Sequence, residues 1–174
     1  LKQIAETNIP LNLELAASKN MLKIALKNKP NYVCIVPEKR KEITTEGGLN
    51  LSRNTNFLKK IIKTFKNKKI RTSLFIDPNL KSIRLAKLIG TDCVELHTGK
   101  LSLSIKKKIN YFNELNKIKK CALVGKSLGL EIHAGHGMDY KTTQVLSKIK
   151  EIQEFNIGHF LIGESIFNGL GSTI

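Results

Sequence analysis

Apolar and polar positions follow two rhythms along this chain, and the rhythms take turns. Short runs at residues 10–15, 32–36, 71–76, 93–96, 130–134 and 155–162 have the length and apolar content of strands. Between them lie amphipathic stretches at 18–27, 51–66, 79–89, 103–127 and 142–150, with a short one after Gly163. Gly90, Gly129 and the Asn28-Lys29-Pro30 segment punctuate helix ends, and Asp77-Pro78 offers a helix start. Six strands, each followed by a helix, predict a parallel sheet with covered faces. Two architectures satisfy that order, a doubly wound sheet and a (β/α) barrel.

The polar residues favour the barrel. Glu14, Glu95, His97, His136 and His159 fall at or just beyond the C-terminal ends of predicted strands, with His133 slightly earlier. In a barrel those ends open on one face, where active sites are built. All four histidines of the protein belong to this set. Six strands nevertheless fall about two βα units short of an eight-stranded barrel. The expectation is one partial barrel domain over residues 1–174, with an exposed edge at 10–15 and a short closing helix. Leu1 rather than Met opens the chain, which suggests an N-terminus further upstream.

Composition narrows the function classes. With 174 residues, 41% hydrophobic, and no run long enough to span a bilayer, a globular cytoplasmic protein without a membrane partner is expected. Cys34, Cys93 and Cys121 are odd in number and far apart, so neither a zinc site nor a disulfide framework is indicated. The net charge of +16 raises the question of a nucleic-acid surface. Lys59, Lys60, Lys63 and Lys66, however, interleave with Phe57, Leu58, Ile61, Ile62 and Phe65, so they belong to the outer face of an amphipathic helix. Lys106, Lys107, Lys117, Lys119 and Lys120 do much the same further on. Charge spread over several helices predicts solvated faces and no nucleic-acid partner.

Four segments could carry chemistry. Glu14 in "LNLELA" and Glu95 in "CVELH" sit among apolar residues, where burial raises a carboxylate's pKa towards acid–base use. A lysine-paired strand-end glutamate is the plainer reading of Glu14. His136 in "EIHAGHGMDY" lies between two glycines, so backbone can approach a ligand closely on either side. His133 reads rather as part of the strand. "NIGHFLIGESIFNGL" places Gly158-His159 and Gly163 ahead of a short helix, a setting in which backbone N–H groups hold phosphate. The segment "PEKRKEITTEGGLN", with six charges in its first ten residues, is too long and too particular for a plain connector.

Taken together, "VPEKRKEITTEGGL", "SLFIDP", "ELHTG", "SLGLEIHAGHGMDY" and "NIGHFLIGESIFNGL" resemble, in order, the signature segments of the pyridoxine 5′-phosphate synthase family of vitamin B6 biosynthesis. The resemblance implies a TIM (β/α)8 barrel, here strands three to eight of eight, with the first two βα units and part of the C-terminal helix absent. It implies a transferase-type enzyme that condenses 3-amino-2-oxopropyl phosphate with 1-deoxy-D-xylulose 5-phosphate. The products are pyridoxine 5′-phosphate, phosphate and water, formed by general acid–base catalysis without metal or cofactor. By motif, Glu14 is similar to a proton acceptor, His136 to a proton donor and Glu95 to a transition-state stabiliser. Thr44 is similar to a contact for the deoxyxylulose phosphate; Gly137, Gly158 and His159 to contacts for the amino-oxopropyl phosphate. Residues 37–50 resemble a loop that closes over the substrates, with Gly47-Gly48 as hinge and Glu38, Lys39 and Arg40 holding its position. Family members form homo-oligomers. The family's further base histidine and binding arginine have no counterpart in these residues, so this chain alone is expected to be inactive or nearly so. Two rival readings remain, another phosphate-binding barrel isomerase or aldolase, and a basic nucleic-acid domain. An aldolase should place a lysine in a strand, and none of the six runs has one.

Overall fold

The computed structural model of the chain describes residues 2–5, 7–37, 47–52 and 55–174. Six strands, β1 (Asn12–Ala16), β2 (Tyr32–Val36), β3 (Arg71–Ile76), β4 (Cys93–His97), β5 (Glu131–Gly135) and β6 (Ile152–Asn156), form one sheet. They lie in sequence order, and each neighbouring pair is parallel. Among the described residues β1 pairs only with β2 and β6 only with β5, so both edges are open and the expected exposed edge at β1 is present. The helices are α1 (Lys2–Ala5), α2 (Lys19–Asn28), α3 (Thr55–Asn67), α4 (Leu80–Ile89), α5 (Gly99–Lys106), α6 (Phe112–Ser127), α7 (Tyr140–Leu146), α8 (His159–Asn168) and α9 (Leu170–Thr173). Consecutive parallel strands joined through helices are consistent with a (β/α)-barrel wall.

Alternation along the strands sorts the sheet into two unlike faces. Leu15, Val33, Ile35, Leu74, Ile76, Val94, Leu96, Ile132 and Ala134 share a core with Leu58, Ile61 and Phe65 of α3, Ile83 of α4 and Ile118 of α6. Full burial of a side chain such as Phe65 or Ile83 stabilises the fold by about 1.5–3 kcal/mol. The intervening strand positions, Glu14, Cys34, Ser73, Glu95 and His133 among them, lie on the opposite face. Lys59, Lys60, Lys63 and Lys66 are exposed on α3, as its pattern predicts. Helix starts are capped by side chains: Ser18 accepts from Met21 N–H, Asn79 from Ser82 N–H and Asp139 from Thr142 N–H. The α4 cap is thus Asn79, two residues beyond the expected Asp77-Pro78 start.

Several elements differ from the sequence reading: α7 ends at Leu146 rather than at 150, and Gly163, expected ahead of the last short helix, lies inside α8. The single helix expected over 103–127 is two, α5 and α6. Lys108 adopts a left-handed φ of 54°, and the Asn110 carboxamide then accepts the Phe112 N–H at 3.0 Å, which starts α6 afresh. The strand expected over 155–162 lies earlier, at Ile152–Asn156, and Phe160-Leu161-Ile162 belong to α8. An apolar run of that length does not distinguish strand from helix. None of the α8 residues is buried, and Phe167 is 86% exposed.

Candidate active site

Glu95 is the carboxyl whose pKa its surroundings raise. It is the third residue of β4, is only 4% exposed, and has Cys34 and Asn156 beside it from β2 and the end of β6. Asn156 Nδ2 donates to Glu95 Oε2 at 2.8 Å, and the Cys34 thiol lies 3.5 Å from the same oxygen. Gly135 makes room for the carboxylate, since a Cβ there would stand 2.0 Å from Oε1. Burial, followed by the negative charge of Glu14, pushes the Glu95 pKa up to about 7, against the lowering pull of the Cys34 and Asn156 hydrogen bonds. At neutral pH this carboxyl can both give and take a proton. The Cys34 thiol is itself pushed well up by burial and then by Glu95 and Glu14, so it stays protonated.

Glu14 lies in register with Cys34 and its charge acts on both Cys34 and Glu95, so it faces the same interior. Its side chain is exposed on the edge strand rather than buried, and among the described residues it has no ion pair to a lysine. Both glutamates sit mid-strand, because β1 and β4 each run one residue beyond their expected ends.

Above Glu95, at the C-terminal ends of β3 to β5, aromatic rings and imidazoles gather. His97 ends β4, and His136 follows β5 directly. Their ring centroids are 4.8 Å apart, and the Phe75 ring is 5.2 Å from that of His97 and 6.2 Å from that of His136. His136 holds a left-handed φ of 77°, an uncommon and strained conformation for a residue with a side chain. Thr98 secures that backbone: its hydroxyl donates to the carbonyls of Gly135 at 2.9 Å and His136 at 2.7 Å. Gly137 continues with φ 75°. Gly158 caps the N-terminus of α8 and His159 is its first residue, exposed beyond the end of β6. Thr44 and the rest of the 38–46 stretch lie outside the described residues. Gly48 lies pressed on β3, since a Cβ there would stand 2.2 Å from Asp77 N.

At the N-terminal end of the same face lies a charge cluster that no local sequence pattern marks. Arg71 bonds Glu131 Oε2 at 2.5 Å and lies 3.4 Å from Cys93 Sγ; His133 Nε2 meets Glu131 Oε1 at 2.8 Å. Cys93, Glu131 and His133 place ligand-type atoms within 4.8 Å of one another, but the guanidinium of Arg71 already sits against two of them as the counter-cation. Burial alone would raise the Glu131 pKa; bonds from Arg71 and His133 outweigh it and hold that pKa below its usual value. His133 thus belongs to this charge cluster. Asn156, Cys34 and Asp77 were also missed; period-two spacing from Glu14 and Glu95 is the signal that points inward on each strand.

The sequence profile of the family described as "Pyridoxal phosphate biosynthesis protein PdxJ" matches residues 1–174. The chain is 64% identical over 163 residues to the "Pyridoxine 5′-phosphate synthase" of Pelagibacter ubique, covering 94% of this chain and 68% of that protein. It is 45% identical over 172 residues to the protein of the same name from a Sulfurihydrogenibium species (99% and 70%). Against that of Zymomonas mobilis it is 47% identical over 166 residues (95% and 64%). The chain therefore spans about two thirds of the length of these relatives. Among solved structures, the EAL domain of Mycobacterium smegmatis DcpA superposes with a TM-score of 0.54 at 11% identity, over 84% of this chain and 65% of that one. A xylose isomerase domain protein from Planctomyces limnophilus does so at 0.55 and 10%, over 97% and 72%. At such identities the likeness is one of fold alone.

Proposed function

We propose that this chain, which belongs to the family of pyridoxal phosphate biosynthesis protein PdxJ, serves as a pyridoxine 5′-phosphate synthase. The reaction is the condensation of 3-amino-2-oxopropyl phosphate with 1-deoxy-D-xylulose 5-phosphate to pyridoxine 5′-phosphate, phosphate and water. The six strands act as strands three to eight of an eight-stranded barrel whose polar interior is the reaction chamber. In support stand the open edges of the sheet and relatives of which the aligned chain covers 68% and 70%.

Joining an amine to a ketone and closing an aromatic ring requires repeated proton transfer, so the site needs groups that titrate near neutrality. The observation that carries the reading is Glu95, buried, hydrogen-bonded by Asn156 and brought to about 7. Glu95 stabilises charge that develops as the ring forms, Glu14 accepts protons and His136 donates them. Gly137, Gly158 and His159 present backbone N–H groups to the phosphate of the amino-oxopropyl substrate, aided by the N-terminus of α8. Thr44 contacts the phosphate of the second substrate. The lysine-free strands β1 to β6 offer an aldolase no Schiff-base amine, and the basic residues are dispersed over several helices rather than gathered for nucleic acid. Incubation of the natural protein with both substrates, followed by mass spectrometry, should yield pyridoxine 5′-phosphate and one inorganic phosphate per turnover. Absence of that product, together with isomerisation or cleavage of either sugar phosphate alone, would overturn the reading in favour of another phosphate-binding barrel enzyme.

A further inference from the structure

His97 has no part in the scheme above, yet it is buried with a polar atom, Nε2, that has no hydrogen-bond partner among the described residues. Its other nitrogen, Nδ1, lies 3.6 Å from Asp77 Oδ1, an ion-pairing distance slightly too long for a hydrogen bond. Asp77 is itself held, because the same Oδ1 accepts the Gly48 N–H at 2.9 Å. On its far side the His97 ring stacks, tilted by 38°, on the ring of His136. Gly99 closes the gap: a Cβ there would come 2.9 Å from His97 Nε2 and 3.1 Å from His136 Cδ2. The order Gly48, Asp77, His97, His136 is thus one continuous line of contacts across β3, β4 and the end of β5.

We infer that His97 is a positioning residue: anchored through an Nδ1–H directed at Asp77, it fixes the orientation of the His136 imidazole. The strained backbone at His136 fits this role, because the chain alone does not favour that conformation. Among the described residues the groups facing His97 are Asp77, His136 and Lys100, and the ion-paired Glu114 and Lys117 line the same cleft. Burial, His136 and Lys100 lower its pKa and only Asp77 raises it, so it stands below the ordinary histidine value and is neutral at pH 7. A neutral imidazole carries one proton, and Asp77 sets on which nitrogen it resides.

The catalytic consequence rests on the proposed role of His136, so the test has two separate parts. Nitrogen-15 NMR of the four imidazoles in the full chain reads tautomer and ring averaging without any substrate. His97 should carry its proton on Nδ1. Asp77→Asn should lower the His97 titration further and mix its tautomers. His97→Ala should release His136 into averaged orientations while leaving His159 unchanged. In the synthase assay Asp77→Asn and His97→Ala should lower kcat by about ten- to a hundredfold with little change in KM. His97→Asn, whose amide N–H can still reach Asp77, should recover part of the loss. A His97 proton on Nε2, or a His136 ring equally ordered in folded His97→Ala and His97→Asn, overturns the inference whatever the enzyme activity proves to be. Absence of synthase activity in the parent, with the NMR results as expected, overturns the function and leaves the positioning.

Discussion

Replacing Glu95 by glutamine should make the protein more stable, and only above pH 5. The native state raises the Glu95 pKa from 4.5 to about 7, so it holds this proton more tightly than the unfolded chain does. Ionisation therefore costs the fold. The stability associated with the protonated carboxyl is fully present below the unfolded value and is lost as pH rises through about 7. At 1.36 kcal/mol per unit, the gap corresponds to a ceiling of about 3 kcal/mol at pH 8. Glutamine has nearly the same shape, keeps an acceptor for Asn156 Nδ2 and never ionises. Urea unfolding of parent and Glu95→Gln between pH 4.5 and 8 isolates the effect, because every other titrating group cancels in the difference. That difference should be near zero at the acid end and approach about 3 kcal/mol at the alkaline end. A difference that is flat with pH, or a variant weaker than the parent at pH 8, would refute the reasoning. A gain in stability with loss of activity is the expected mark of a carboxylate kept for function.

Three further expectations concern the same interior. Asn156→Ala removes the 2.8 Å donor to Glu95, and the carboxyl carbon-13 titration of Glu95 should move upward by about one unit. Gly135→Ala places a methyl group 2.0 Å from Glu95 Oε1; the carboxylate must move, with about 1–3 kcal/mol lost in urea unfolding and most activity gone. Arg71→Ala leaves the partly buried Glu131 without its guanidinium partner, with only His133 beside it. Unfolding at pH 7 should then show about 1 kcal/mol less stability, shrinking as the pH falls and Glu131 is protonated.

The sequence was most legible where local chemistry decides the outcome. Residues 32–36 and 71–76 are strands within the expected bounds, since short apolar runs between polar punctuation leave the chain few alternatives. The inward direction of Glu14 and Glu95 was legible for the same reason, through the two-residue period of a strand. What it left hidden depends on partners distant in sequence. Asn156 reaches Glu95 across 61 positions, and Arg71 joins Glu131 across 60; no local pattern marks either. The exposure of Glu14 follows from the open edge of β1, not from its leucine neighbours. Asp77 read as a helix start, because the aspartate–proline pair has that local meaning; its place between Gly48 and His97 required the packed sheet. The Phe160–Ile162 run is apolar enough for either element, and only Gly158 before it marked the turn into α8.

The most direct test of the whole account is the pH dependence of pyridoxine 5′-phosphate formation by the natural protein and its Glu95→Gln variant, with both phosphorylated substrates saturating. The parent should form product, with a limb in kcat near pH 7 that disappears in the variant along with most of the rate. No product, or a profile that passes unchanged through pH 7 when Glu95 is replaced, would contradict it.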